Sequence, residues 1–354
     1  MITVGVNGAS GRIGKFSSFE LFQISEIKVV ALNDPVGAKA LVENYKEMDS
    51  THGRLDWSVK YVDDSNVEIN GRRIKVYSEK DPKKIPWGDC GVGIVGECSG
   101  YFIKDGAAKA HLGDSIRDPS RVIVSAPATG EGLITLILGV NQEEFDPNKH
   151  SYISNASCTT KALATPIKCL MDVGIEVYAL LMDTVHAATN TQRVLDFGDE
   201  PATLDNISLV KTGAAIATGE VIRELEGKMD GFAARVPTSD GSFANLYFVV
   251  SCKDELNASK VNDILSKATR NERYFGRIGT LDMEKVSSKK HVVGRRENAL
   301  VVTNRTRVLP LPFAPSGKNA YLIGIVSGYD NERGPARDLA LLVKYIGERC
   351  GYCY

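Results

Sequence analysis

The chain has 354 residues, 43% of them hydrophobic, and a formal net charge of −1, which gives room for two domains with separate cores. The balanced charge argues against a nucleic-acid partner, and no apolar run is long enough to span a membrane. Seven cysteines, an odd number scattered along a long chain, argue against a disulfide framework and for reduced thiols. No signal peptide precedes the first strand pattern at Ile2, so the expected location is cytoplasmic.

The first elements spell a nucleotide cradle. A buried strand is expected from Met1 to Asn7, a glycine turn from Gly8 through Gly11 to Gly14, and a helix from Lys15 to Phe22. Glycines in such a turn let backbone N–H groups approach a pyrophosphate at a helix N-terminus, where a larger side chain would block it. A second strand, Ile27 to Asn33, ends in Asp34, placed to accept hydrogen bonds from an adenosine ribose, which favours NAD over NADP. Strands at Val59–Val62 and Arg73–Tyr77 flank Asn70-Gly71, a hairpin signal. Buried strands are expected at 91–97 and 121–125, separated by a short helix near Lys104–Leu112. Strand ends carrying Ser and Gly line the crevice of a doubly wound sheet.

The chemistry is concentrated in the second half. Ser151–Asn155 reads as the last strand of the first half and leads to Cys158, which directly precedes a helix over 161–171. A cysteine at a helix N-terminus is expected to have its thiol pKa lowered below the free value of about 8.5. The strand Glu176–Thr184 delivers His186, which can share a proton with such a cysteine. Residues 187–210 have little periodicity and contain Gly198 and Pro201, the mark of a functional excursion. Thr212-Gly213 then opens a helix running to about Leu225, an anion-binding N-terminus for which Arg235, on the strand Phe232–Pro237, can supply a fixed charge. Strands at 243–251, 298–303 and 320–327, with a helix at 258–269, imply a mostly antiparallel sheet. The basic stretch 289–296 holds Val292 and Val293 and reads as a solvated strand or loop. A final helix, 336–348, is expected to pack on the first domain. Cys350 and Cys353 make a C-x-x-C beyond it, read as a tail because no strand precedes it.

These residues resemble the phosphorylating glyceraldehyde-3-phosphate dehydrogenase family along nearly the full chain. The resemblance is carried by Val4-Gly-Val-Asn-Gly8 with Gly11-Arg-Ile-Gly14, Asn33-Asp34-Pro35, Asp49-Ser-Thr-His-Gly53, Ser125-Ala-Pro-Ala128, Ser154-Asn-Ala-Ser-Cys-Thr-Thr160, Thr184-Val-His186, Thr212-Gly-Ala-Ala215, Arg235-Val-Pro-Thr238 and Tyr329-Asp-Asn-Glu332. It implies an α/β fold: a Rossmann-type doubly wound NAD-binding domain, 1–157 completed by a C-terminal helix at 332–354, and an α+β catalytic domain, 158–331, with a mostly antiparallel sheet.

The implied roles follow position by position. Cys158 would be the nucleophile and His186 the general base. Asn7, Gly8, Gly11, Arg12, Ile13, Asp34, Lys80, Ser99, Gly100, Ser125 and Asn331 would hold NAD, with Asn331 at the nicotinamide amide. Ser157, Thr159, Thr212 and Gly213 would hold the attacking inorganic phosphate, while Thr189 and Arg235 would hold the phosphate of a small phosphorylated aldehyde. A homo-oligomer, tetrameric by resemblance, is implied, with no nucleic-acid or membrane partner and no metal. The chain also departs from the family. Ala9-Ser10 replaces a single Phe and lengthens the glycine turn, which leaves NADP open as an alternative cofactor; Lys161 replaces Asn; residues 187–210 lack the family's Arg-rich segment and have Gly198-Asp-Glu-Pro201 instead; Leu209-Val-Lys211 replaces Pro-Thr-Ser; and Asn331–Pro335 lacks the usual aromatic pair. A paralogue acting on another phosphorylated or modified aldehyde, with hydrolytic release or NADP, is therefore the alternative expectation, followed by a non-catalytic regulatory homologue.

Overall fold

The computed structural model describes residues 1–113, 115–189, 192–196 and 202–352. Gly198 to Pro201 and Cys353, both singled out in the sequence, lie outside the described residues. The chain divides into two units, the first built from 1–137, 142–156 and 335–354 and the second from 138–141 and 157–334.

The first unit is a nine-stranded sheet. In chain order it contains β1 (Ile2–Asn7), α1 (Arg12–Phe22), β2 (Ile27–Asn33), α2 (Gly37–Lys46), β3 (Val59–Asp63), β4 (Asn66–Ile69), β5 (Arg72–Tyr77), β6 (Ile94–Glu97), β7 (Arg121–Val124), β8 (Leu133–Thr135) and β9 (Tyr152–Ser154). The strand order is β3-β4-β5-β2-β1-β6-β7-β9-β8, and every pairing from β5 to β8 is parallel. Central β1 buries Ile2, Val4 and Val6 completely, as a strand covered on both faces must. This is the doubly wound order, in which β1 stands where the chain reverses direction across the sheet and its C-terminal end borders the crevice.

Three details differ from the sequence reading. Asn70 and Gly71 both take positive φ, 48° and 75°, as a two-residue hairpin turn demands. They join β4 to β5, however, so the insertion is a three-stranded meander; β4, only four residues long, is too short for its alternation to register. The helix expected near 104–112 is a single 3-10 stretch, Ala107–His111. The strand after residue 151 is the last of this unit in chain order, as read, but β8, which the sequence reading did not include, pairs outside it.

The second unit contains α3 (Cys158–Met171), β10 (Glu176–Ala187), β11 (Ser208–Lys211), α4 (Ala214–Val221), β12 (Met229–Val236), β13 (Ser242–Cys252), α5 (Ala258–Ala268), β14 (Ile278–Leu281), β15 (Ala299–Val302), β16 (Arg307–Pro310) and β17 (Asn319–Tyr329). Its sheet runs β11-β12-β10-β13-β17-β15-β14, with β16 on β17. Most pairings are antiparallel, but β10 with β12 and β14 with β15 are parallel. Helix α3 is the core of this unit, with Leu163, Ile167 and Leu170 at 0% exposure. Residues 288–292, read from sequence as a solvated strand or loop, form one π-helical turn whose Val292 is fully buried.

The last helix, α6 (Arg333–Arg349), is amphipathic, and Ala336, Leu339, Leu342, Val343 and Ile346 are all at 0% exposure. From Pro335 onward it belongs to the first unit. There Gly347 lies so close to β1 that an added Cβ would stand 2.5 Å from the side chain of Ile2.

Candidate active site

In the first unit, β1 runs into the glycine turn and α1 runs out of it. The N–H groups of Gly8 and Ala9 both donate to the Asn33 carbonyl, at 3.0 and 3.2 Å, which ties the turn to the end of β2. Gly8 has φ +72°, and a Cβ on it would sit 2.5 Å from the Ser99 backbone. A Cβ on Gly14 would come within 2.0 Å of the Gly8 carbonyl oxygen. Replacing Gly14 by Ala is accordingly expected to force the turn open, at a cost of roughly 2–3 kcal/mol. Differential scanning calorimetry and NAD titration would show this as a lowered melting temperature together with weakened binding.

Gly11 is the N-cap of α1 and gives no side-chain cap, so the first N–H groups of the helix are available to an anion. Asp34, at the end of β2, accepts N–H groups from Ser10 (2.8 Å, Oδ2) and Val36 (3.2 Å, Oδ1). The residue added to the turn thus positions the acidic side chain. These groups border a cleft of about 800 Å³ lined by Asn7, Gly8, Gly11, Asp34, Lys80 and Ser99 among others. A turn too tight for side chains, an uncapped helix N-terminus and an acidic strand end together fit a dinucleotide.

Ser10, Pro35, Glu79, Cys98, Tyr101 and Phe102 also line the cleft and were not foreseen from sequence. Tyr101 and Phe102 follow the Ser99-Gly100 strand end and were detectable only as aromatic residues beside it. Arg12, Ile13, Gly100 and Ser125 fall outside the lining. Arg12 and Ile13 open α1, Gly100 takes φ +75° in a turn, and Ser125 bonds through its N–H to the Glu97 carbonyl. Beneath the cleft, buried Glu97 receives Asn7 Nδ2 at 2.6 Å and the Ser99 N–H at 2.7 Å, and pairs with His111 Nε2 at 2.8 Å. This carboxylate fixes two of the foreseen cofactor contacts.

In the second unit, Ser157 is the N-cap of α3, its hydroxyl accepting the Thr160 N–H at 3.0 Å. Cys158 is therefore the first helical residue. Its Sγ stands 3.8 Å from His186 Nε2, 3.7 Å from Asn331 Nδ2 and 3.9 Å from Thr159 Oγ1. His186 reaches this position because β10 continues past Thr184, in register with Arg235 of β12. The imidazole Nδ1 is 2.7 Å from the Ala187 carbonyl, and the Arg235 guanidinium lies against the same nitrogen and 3.3 Å from the same carbonyl. Nδ1–H donation to Ala187 leaves the Nε2 lone pair facing the sulfur.

The electrostatics correct one expectation. Cys158 does not rest below the free thiol value: burial pushes its pKa up and outweighs the hydrogen bonds from Thr159 and Asn331, while Asp240 adds a further upward push. His186 is driven the other way, down to about 4, by burial and then by the Arg235 charge. Both shifts push toward the uncharged forms of thiol and imidazole, against the ion pair that a helix N-terminus suggested. Taking both partners out of water costs more than the helix end returns.

The remaining foreseen anion-site residues are placed as follows. Thr159 is 5% exposed, and its Oγ1 lies 3.0 Å from the hydroxyl of buried Tyr329, which also contacts Thr184 Oγ1 at 2.7 Å. The N–H and Oγ1 of Thr189 both donate to Gln192 Oε1. Thr212 Oγ1 accepts the Ala214 N–H, with Gly213 as the N-cap of α4, and α4 packs on α3. Lys161 sits one turn along α3 from Cys158 at 1% exposure. Asn331, foreseen at the nicotinamide, lies on the sulfur and the imidazole.

Comparison with known proteins matches residues 2–105 to the family model described as glyceraldehyde 3-phosphate dehydrogenase, NAD binding domain. Residues 157–331 match the model of the C-terminal domain of the same family. Glyceraldehyde-3-phosphate dehydrogenase 2 of Streptomyces avermitilis is 37% identical over 353 residues, covering 98% of this chain and 99% of the relative. Glyceraldehyde-3-phosphate dehydrogenase 1 of Bacillus subtilis is 36% identical over 354 residues, with the same coverage. The glyceraldehyde-3-phosphate dehydrogenase of Geobacillus stearothermophilus is 37% identical over 353 residues.

Proposed function

This chain belongs to the glyceraldehyde-3-phosphate dehydrogenase family, and we propose that it oxidises glyceraldehyde 3-phosphate with NAD and inorganic phosphate, giving an acyl phosphate through a thioester on Cys158. The observation that carries this reading is the cluster of Cys158 Sγ, His186 Nε2 and Asn331 Nδ2, all within 4 Å of one another at the N-terminus of α3. The sulfur adds to the aldehyde carbon while the thiol proton passes to the carbonyl oxygen, which gives a thiohemiacetal. His186, neutral and with its Nε2 lone pair on the side of the sulfur and Asn331, takes the proton of the new hydroxyl as the C–H bond breaks. The glycine turn and Asp34 would hold NAD, which would supply the hydride acceptor. Phosphate then attacks the thioester carbon, and Cys158 departs as thiolate.

In this reading Ser157, Thr159, Thr212 and Gly213 hold the attacking phosphate, while Thr189 and Arg235 hold that of the substrate. An anion at Arg235 would neutralise the charge now pressing on His186 and raise its basicity. The division into an NAD domain, 1–157 with 332–354, and a catalytic domain, 158–331, belongs to the same proposal. The test is a steady-state assay of the purified protein with NAD, phosphate and a panel of phosphorylated aldehydes. NADH formation from glyceraldehyde 3-phosphate that requires phosphate supports the reading, and its absence sinks it. Activity confined to another aldehyde would favour the paralogue reading, which rests on the fully buried Lys161 of α3.

We place the reaction in the cytoplasm, in keeping with free thiols at the six described cysteines. Among the described residues, no helix is long and apolar enough to cross a membrane. A homo-oligomer, tetrameric as in the resemblance, is supported by one face of the second sheet. Leu181 and Tyr247 pair across β10 and β13, and Phe232 and Leu209 lie on β12 and β11; they are 64%, 47%, 46% and 70% exposed. Such an apolar face calls for a partner surface. Light scattering is expected to give a multiple of the chain mass, and a monomer would remove this part of the proposal.

A further inference from the structure

The Asn331 side chain is held in one orientation. Its Oδ1 accepts two hydrogen bonds, from Ser242 Oγ at 2.9 Å and from the Gly241 N–H at 3.0 Å. An amide oxygen so engaged forces the NH2 group to the opposite side, where it lies 3.2 Å from His186 Nε2 and 3.7 Å from Cys158 Sγ. Both of those atoms are acceptors once the imidazole carries its proton on Nδ1. The Ser242 hydroxyl cannot turn away freely, because its oxygen also receives the Ala187 N–H at 3.0 Å, which leaves its proton for Asn331. Asp240 Oδ1 fixes the backbone on both sides by accepting the N–H groups of Gly241 (2.7 Å) and Asn331 (2.8 Å). Ser242 is wholly buried and reaches no reacting atom itself.

We infer that Asn331 is a catalytic residue whose N–H groups stabilise the Cys158 thiolate as it forms and leaves, and that Ser242 is the positioning residue that keeps those groups facing the sulfur. The inference rests on Cys158 being the nucleophile of the proposed reaction. Without the Ser242 hydroxyl the amide keeps only the Gly241 N–H to distinguish its two ends, and a flipped amide would present oxygen to sulfur, repelling the anion. A hydrogen bond to a charged group contributes about as much as a tenfold change in an equilibrium constant. The ionisation of Cys158 is where this contribution is read directly.

The experiment titrates the Cys158 thiolate by its ultraviolet absorbance, taken as the difference from Cys158→Ser, alongside the rate of iodoacetamide labelling. Ser242→Ala is expected to move the inflection up by about one pH unit and to slow labelling near neutrality roughly tenfold. Ser242→Thr, which keeps the hydroxyl, should restore both. Asn331→Asp, similar in shape but without N–H groups, should raise the inflection at least as far and serves if the alanine variant does not fold. An inflection unchanged in Asn331→Asp overturns the role of the amide; one moved in Asn331→Asp but unchanged in Ser242→Ala overturns the role of Ser242. These titrations need no substrate, so failure of the proposed oxidation would appear separately, as a wild-type protein that titrates normally and does not turn over.

Discussion

Cys158→Ser is expected to lower phosphate-dependent NADH formation by roughly 10⁴-fold or more, the scale of losing a nucleophile that no neighbouring group can replace. A serine hydroxyl at the same place ionises far less readily than a thiol and is a poorer leaving group for the phosphate step. The first turn of α3 should be untouched, because its cap is Ser157 and not the cysteine. NAD titration should therefore match the wild type while turnover disappears. Residual activity within tenfold of the wild type would assign the chemistry to another group.

His186→Gln should lower kcat by about 10²- to 10⁴-fold, the range for a positioned general base, and it should also change how the protein responds to acid. The His186 pKa in the folded protein, about 4, lies below its ordinary value of about 6.5. The unfolded chain therefore binds this proton first as pH falls. The stabilisation is fully present above pH 6.5 and is lost between there and pH 4, amounting to roughly 3 kcal/mol. A wild-type protein should lose that much more stability than the Gln variant over this window in urea denaturation. Parallel acid limbs in the two proteins would mean that His186 is not held neutral.

The elements that position the site were legible where a local pattern reports a local cause. β1 with its glycine turn, Asp34 at the end of β2, and the Ser157 cap before Cys158 each follow from backbone sterics or capping within a few residues. His186 was legible as a strand-end histidine, but its distance to the sulfur depends on the register of β10 against β12 and β13, which no local pattern encodes. The ionisation state was misread for the same reason. A helix N-terminus is visible in sequence, whereas burial and Arg235, the forces that move His186, come from residues far along the chain. Ser242 could not be singled out, because its importance lies in two hydrogen bonds that close only when the end of β10, the start of β13 and the segment after β17 meet.

The division of the chain has a consequence for biosynthesis. The second unit is almost one continuous stretch, 157–334, whereas the first is assembled from three pieces and ends with 335–354. A ribosome delivering residues in order completes the sequence of the second unit first, because the helix that covers Ile2 of β1 emerges after it. The amino-terminal half, although made earlier, waits with an apolar flank uncovered until α6 is made. It is the stage at which a chaperone has most to shield.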